Sequence, residues 1–160
     1  MSGLDPRQLL EIAVRPALEI MGDEFGGTNA EQLLMGTAAV ESGLVHLRQL
    51  PNGPALGLWQ MEPATFYDLA QRYRQWKTMV TSPQPSAEQV AWNLRLGAAM
   101  ARLKYRDAPA ALPTAWDIEA MESYHKRYYN SMLGATKPGE FRSAWNRLIA
   151  PQAERMWPRD

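Results

Sequence analysis

The chain has 160 residues, enough to bury the core of one domain and too few for two ordinary ones, and its apolar share of 46 % against 21 % charged is that of a soluble globular protein with no run long enough to span a bilayer. Lys and Arg number 17 and Asp and Glu also 17, so no net field draws the chain to nucleic acid or to an anionic membrane. Cysteine is absent and histidine occurs only as His46 and His125, which argues against disulfides, thiol nucleophiles, a zinc site and any other metal or cofactor chemistry.

The opening stretch, "MSGLDPRQLL", has neither a basic start nor a compact apolar run, so no secretory signal is expected and delivery beyond the cytoplasm would fall to something else. Apolar spacing is helical nearly throughout, which predicts an all-α single domain over 1–160 with about six helices. Asp5 offers a cap with Pro6 at the first helical position; Leu9, Leu10, Ala13 and Ala17 continue one face, and Pro16 is expected to kink or split that helix. Thr28 and Glu31 match a capping box, opening a helix through Leu33, Leu34, Ala38 and Val40 to Glu41, with Gly43 as its stop. "LVHLRQLPNGPALGLWQ" reads as a loop or short irregular hairpin. Pro63 starts a third helix reaching about Met79. After "TSPQPS", Ser86 and Gln89 cap a fourth through roughly Lys104; after "DAPAALPT", Thr114 and Asp117 open a fifth ending near Asn130; Pro138 begins a sixth that stops before Pro151. There is no internal repeat.

Glu41 stands in the last turn of its helix beside Ala38, Ala39, Val40 and Gly43, so its carboxyl leaves an apolar helix face at the edge of a cleft. Removal from water favours the neutral acid, and the negative end of the helix dipole acts the same way, which suits a donor of a proton to a leaving oxygen. A last-turn glutamate is otherwise an ordinary solvated residue, and position alone favours that plainer reading.

Three blocks downstream change the weighing: "ESGLVHLRQLPNGPALGLWQMEPATF", "NLRLGAAMARL" and "YYNSMLG". Together they span roughly residues 30–135. The first resembles the catalytic Glu-Ser, loop and Gly-Leu-Met-Gln core of the soluble lytic transglycosylases of the goose-type lysozyme-like superfamily, which cleave peptidoglycan glycan strands. The second is similar to that family's Asn-x-x-x-Gly-Ala helix, and the third to its Tyr-Asn-Ala-Gly motif. The resemblance implies a lysozyme-like fold with Glu41 as general acid and then base, Ser42 as a support for substrate or glutamate, Gln60 lining the cleft, Tyr129 steering the glutamate, and Asn130 with Tyr129 among the substrate-binding residues. Gly57 and Leu58 would shape the turn under the sugar sites. The chemistry of these residue types agrees: glycine allows close backbone approach, glutamine carries donor and acceptor, and a phenol can orient a carboxyl. Each also has a plainer reading, Gln60 as a turn partner and Tyr128 or Tyr129 as core aromatics.

The sequence departs from the family pattern in three places. Trp59 replaces a methionine and, with Tyr67, Trp76 and Tyr124, offers aromatic faces for sugars, although such rings mostly belong to cores. Ser131 and Met132 replace a small Ala-Gly pair. Glu62 stands where an apolar residue is more common, and reads as favourable charge at the start of the Pro63 helix with no catalytic role.

Glycosidases with two carboxylates need a second acid roughly 5 to 9 Å across the scissile bond. From Ser42 to Met61 there is none, which fits a single-glutamate mechanism, unless Asp23 or Glu24 folds back to permit plain hydrolysis. The expected function is therefore lytic transglycosylation of the MurNAc–GlcNAc β-1,4 bond, with glycan strands as partner. Because no wall-binding module or signal is evident, the chain resembles phage or prophage members, either carried in the virion and its tail to breach the wall during DNA entry or released at lysis, and its Pro-rich ends favour the virion form. The alternative expectation is a structural virion or tail component with the same fold and little activity.

Overall fold

The computed structural model describes residues 3–82, 84–130 and 136–160. Its centre is α3, Thr28–Ser42, in which every residue from Ala30 to Ala39 is buried. A helix apolar on all sides belongs inside a domain. Around it pack α5 (Leu94–Arg106), α6 (Ile118–Tyr128), α7 (Glu140–Ala144) and two π-helical turns, Leu10–Val14 and Trp145–Ile149. Gly43 ends α3 in the left-handed conformation at φ 61°, as its sequence position predicts.

The N-terminal helix begins as expected: the Asp5 carboxylate accepts from Arg7 N at 2.8 Å and Gln8 N at 3.3 Å, opening α1, Pro6–Leu9. It is not broken at Pro16. The turn Leu10–Val14 widens to π geometry and α2, Arg15–Met21, continues from it. Pro16 has no N–H for the carbonyl of Ile12, and Arg95 of α5 supplies the donor instead, Nε to O at 2.8 Å. The proline thus exchanges a local bond for one that ties two helices together.

Other boundaries shift for identifiable reasons. Gly27 occupies the cap position of α3 and no capping box forms, because the Glu31 carboxylate pairs with Arg15 at 2.9 Å and accepts from the Trp157 indole at 2.7 Å. The Pro63 helix is two pieces, α4 (Pro63–Arg72) and a 3-10 turn, Gln75–Met79, separated where Tyr73 goes extended. Ser86 makes no cap bond. A 3-10 turn over Ala87–Ala91 precedes α5, which is capped by Asn93 accepting from Leu96 N at 3.0 Å. Of the Thr114–Asp117 pair only Asp117 acts, capping α6 by accepting from Ala120 N at 3.0 Å, and Thr114 stays outside the helix. The last segment is composite: α7, the π turn, a 3-10 turn Ala150–Gln152 and α8, Ala153–Met156.

The described residues form an all-α arrangement with no strand; the loop between α3 and α4 carries only the isolated bridges Arg48↔Leu56 and Leu56↔Met61. No helix among them is long and apolar enough to cross a membrane. Ser131 and Met132, the departures from the Tyr-Asn-Ala-Gly pattern, lie outside the described residues.

Candidate active site

The α3 helix delivers Glu41 to its own last turn, and the loop that follows folds back to form the facing wall. Leu56 and Met61 exchange both main-chain hydrogen bonds at 2.9 Å, which forces a tight turn over residues 57–60. Gly57 sits at φ 77°, and a Cβ there would lie 2.4 Å from the carbonyl oxygen of Val90, so this position needs glycine on both counts. Gln60 also has positive φ, at 48°, and its amide donates to the Gly57 carbonyl at 2.9 Å. The turn therefore fixes Gln60 at the cleft while its neighbours turn inward.

Between α3 and this wall lies a cleft of about 620 Å³. Glu41, Gln60, Tyr129 and Asn130, brought from three separate parts of the chain, all line it, together with Lys104, Glu62, Glu140 and loop residues such as Arg48 and Leu50. The other proposed site residues do not. Ser42 is buried and its hydroxyl donates to the Ala38 carbonyl at 2.9 Å, so it supports neither substrate nor glutamate. Leu58 is core. Trp59 is 1 % exposed, its indole N–H bound to the Leu34 carbonyl at 2.9 Å and its ring against Gly97, so it presents no face to a sugar. Trp76 and Tyr124 are likewise buried, donating to the carbonyls of Tyr73 and Ala110. Tyr67 is exposed but outside the cleft, accepting from Ala87 N.

Tyr129 is at the cleft, yet its hydroxyl is not the partner of Glu41: it donates to the Trp59 carbonyl at 2.6 Å. The partner is His125, one helical turn earlier, whose Nε2 lies 2.8 Å from Glu41 Oε1. His125 is fully buried, stacked on Tyr129 (centroids 5.7 Å apart, 18° between planes) and tilted against Phe141 at 5.4 Å. The sequence offered one signal for it: a histidine four positions before Tyr129 shares that tyrosine's helix face.

The electrostatics centre on the same group of side chains. Lys104 extends from α5, its ammonium donating to the Tyr129 carbonyl at 2.6 Å and lying 4.0 Å from the ring centroid. Burial lowers its pKa, opposed by the attraction of Glu41 and Glu62. Burial raises the phenols of Tyr105 and Tyr129 well above their ordinary value, and the charge of Glu41 adds to the effect. Both are neutral donors near pH 7.

The acids of the cleft come from outside the loop. The loop itself contributes none, but Glu62 and Glu140 line the cleft with Glu41, so the cleft holds more than one carboxylate. Asp23 and Glu24 do not fold back; they form a 3-10 turn elsewhere, with Glu24 3.8 Å from Arg106. No group of three His, Cys, Asp or Glu residues among the described ones is arranged to hold a metal ion.

Comparison with protein-family models, curated proteins and solved structures finds no match to this chain.

Proposed function

We propose that the chain is a lytic transglycosylase that cleaves the MurNAc–GlcNAc β-1,4 bond of peptidoglycan with Glu41 as its acid and base. The observation that carries this reading is the placement of Glu41: a carboxyl only 17 % exposed, held by a buried imidazole, opening into a cleft whose other wall presents Gln60 and Asn130. In the first step the Glu41 proton passes to the glycosidic oxygen as the C1–O bond breaks, and the substrate's N-acetyl group supports the positive charge at C1. In the second, the 6-hydroxyl oxygen bonds to C1 while its proton returns to Glu41, closing an anhydro ring without water. Lys104 offsets the carboxylate between the two steps, and the amides of Gln60 and Asn130 offer donors and acceptors to hydroxyl and N-acetyl groups.

Glu62 and Glu140 in the same cleft favour one competing reading, hydrolysis assisted by a second carboxylate. Digestion of purified sacculi followed by mass spectrometry separates the two. Anhydro-muramic ends that vanish in Glu41→Gln support the transglycosylase. Reducing ends that vanish in Glu62→Gln or Glu140→Gln mean hydrolysis, and no release by the unmodified chain favours a structural role in a virion or tail. The phage setting follows from the sequence resemblance, and a protein census of purified particles tests it.

A further inference from the structure

We propose that His125 is a positioning residue, a neutral imidazole protonated at Nε2 that keeps Oε1 of Glu41 occupied as an acceptor and so makes Oε2 the one oxygen that gives and takes the proton. The kinetic half of this inference rests on Glu41 being the acid of the reaction proposed above; the tautomer does not.

The argument begins at the other ring nitrogen. Nδ1 of His125 is buried and, among the described residues, has no hydrogen-bond partner. An imidazolium, or the neutral tautomer protonated at Nδ1, would place an N–H donor on a ring packed against Tyr129 and Phe141, where no described residue accepts it. Orphaned buried donors are rarer and costlier than a bare acceptor lone pair. The remaining form is neutral with hydrogen on Nε2, and that hydrogen faces Glu41 Oε1 at a heavy-atom distance of 2.8 Å.

Occupation of Oε1 has a chemical consequence. Whether Glu41 is ionised or protonated, Oε1 accepts, so an acidic hydrogen belongs on Oε2. Donation to the glycosidic oxygen and recovery from the 6-hydroxyl then pass through the same atom without rotation of the carboxyl. The other ionisable groups around the pair are His46 and Arg48 from the loop after α3, Lys104 and Tyr105 from α5, Tyr129 beyond α6, Glu62 ahead of α4 and Glu140 at the start of α7. Lys104 is committed to the Tyr129 carbonyl and leaves the His125–Glu41 bond undisturbed.

Nitrogen-15 NMR of the full chain labelled at histidine, with His46→Gln to assign the signals, reads the tautomer directly. At pH 7 the His125 ring is expected to show an unprotonated Nδ1 and a slowly exchanging hydrogen on Nε2; a doubly protonated ring at that pH, or hydrogen on Nδ1, overturns the proposal. Kinetics on soluble glycan strands supply the second arm. His125→Phe, which keeps the aromatic packing, is expected to lower kcat about tenfold to a hundredfold with KM little changed, and to move the alkaline limb of the pH–rate profile upward because a donor to the carboxylate is gone. His125→Gln, which retains an amide donor near the Nε2 position, is expected to restore most of the rate and the original limb. Equal losses in both variants with an unmoved limb mean a structural role and sink the idea. If the unmodified chain releases no fragments, the proposed function fails, and the NMR result decides the tautomer alone.

Discussion

Tyr129 and Trp59 are joined by a hydrogen bond of 2.6 Å in which a buried phenol donates to a main-chain carbonyl. This bond fastens the end of α6 to the turn over residues 57–60, so the helix that carries His125 and the wall that carries Gln60 are fixed relative to each other. Tyr129→Phe removes the donor and leaves a buried carbonyl unpaired, at a cost of about 1–3 kcal/mol. Urea denaturation is expected to show that loss as a lower midpoint with an unchanged m-value.

Trp59 stabilises the cleft from behind. Trp59→Phe forfeits the bond to Leu34 and opens a gap beside Gly97, for a combined loss of about 2–4 kcal/mol. Because the indole shows no face to the cleft, KM for glycan strands is expected to stay within about twofold of the unmodified chain at a temperature where both are folded. A large rise in KM with stability unchanged would place the ring in contact with sugar.

Gly57→Ala meets two obstacles at once, a φ of 77° and a Cβ 2.4 Å from the Val90 carbonyl oxygen. The expected cost is about 2–4 kcal/mol, since the neighbour is backbone and cannot swing aside. Thermal unfolding followed by circular dichroism measures it. The mild effect ordinary for a surface loop would mean that the turn relaxes.

Acid lability has a nameable contributor. Arg72 beside Asp107 holds its carboxyl below the ordinary value of 3.8, with a further hydrogen bond from Tyr73 at 2.6 Å. A carboxyl whose folded pKa is depressed lends stability that is complete above the unfolded value and fades as pH falls through the folded one. Asp107→Asn is therefore expected to lower stability at pH 6 slightly, the pair being solvent-screened, and to flatten the decline below about pH 4. Denaturant midpoints from pH 6 to 2 for both chains test this, and parallel curves would contradict it.

What the sequence disclosed was mostly local. Asp5, Gly43 and Asp117 act on backbone groups within a turn of themselves, and their roles could be read from neighbours alone. The Thr28–Glu31 box obeyed the same logic and failed, because Arg15 and Trp157 hold the glutamate more strongly than a backbone N–H would. Glu41, Gln60, Tyr129 and Asn130 were legible as cleft residues through the resemblance of short motifs. His125 was not, since its bond to Glu41 joins helices far apart in sequence. Nor was the burial of Trp59, which depends on the room Gly97 leaves for the ring on α5.

The π turns carry a periodicity of their own. Buried residues at the N-terminus fall in steps of four, Leu9 and Leu10, Ala13 and Val14, Ala17 and Leu18, then Met21; near the other end, Trp145, Ile149, Ala153 and Trp157 repeat the step. On a regular α-helix each four-residue step overshoots a full circle by roughly 40°, so such a stripe would wind away from its neighbour within a few turns. A wider turn holds more residues per revolution and resets the phase. Each segment behaves as a vernier, its sequence counting in fours and its backbone inserting the correction where the count would drift. Deleting one residue inside either π turn would restore regular hydrogen bonding and still leave the rest of the stripe on the core, because the residue lost is the one that the wide turn absorbs.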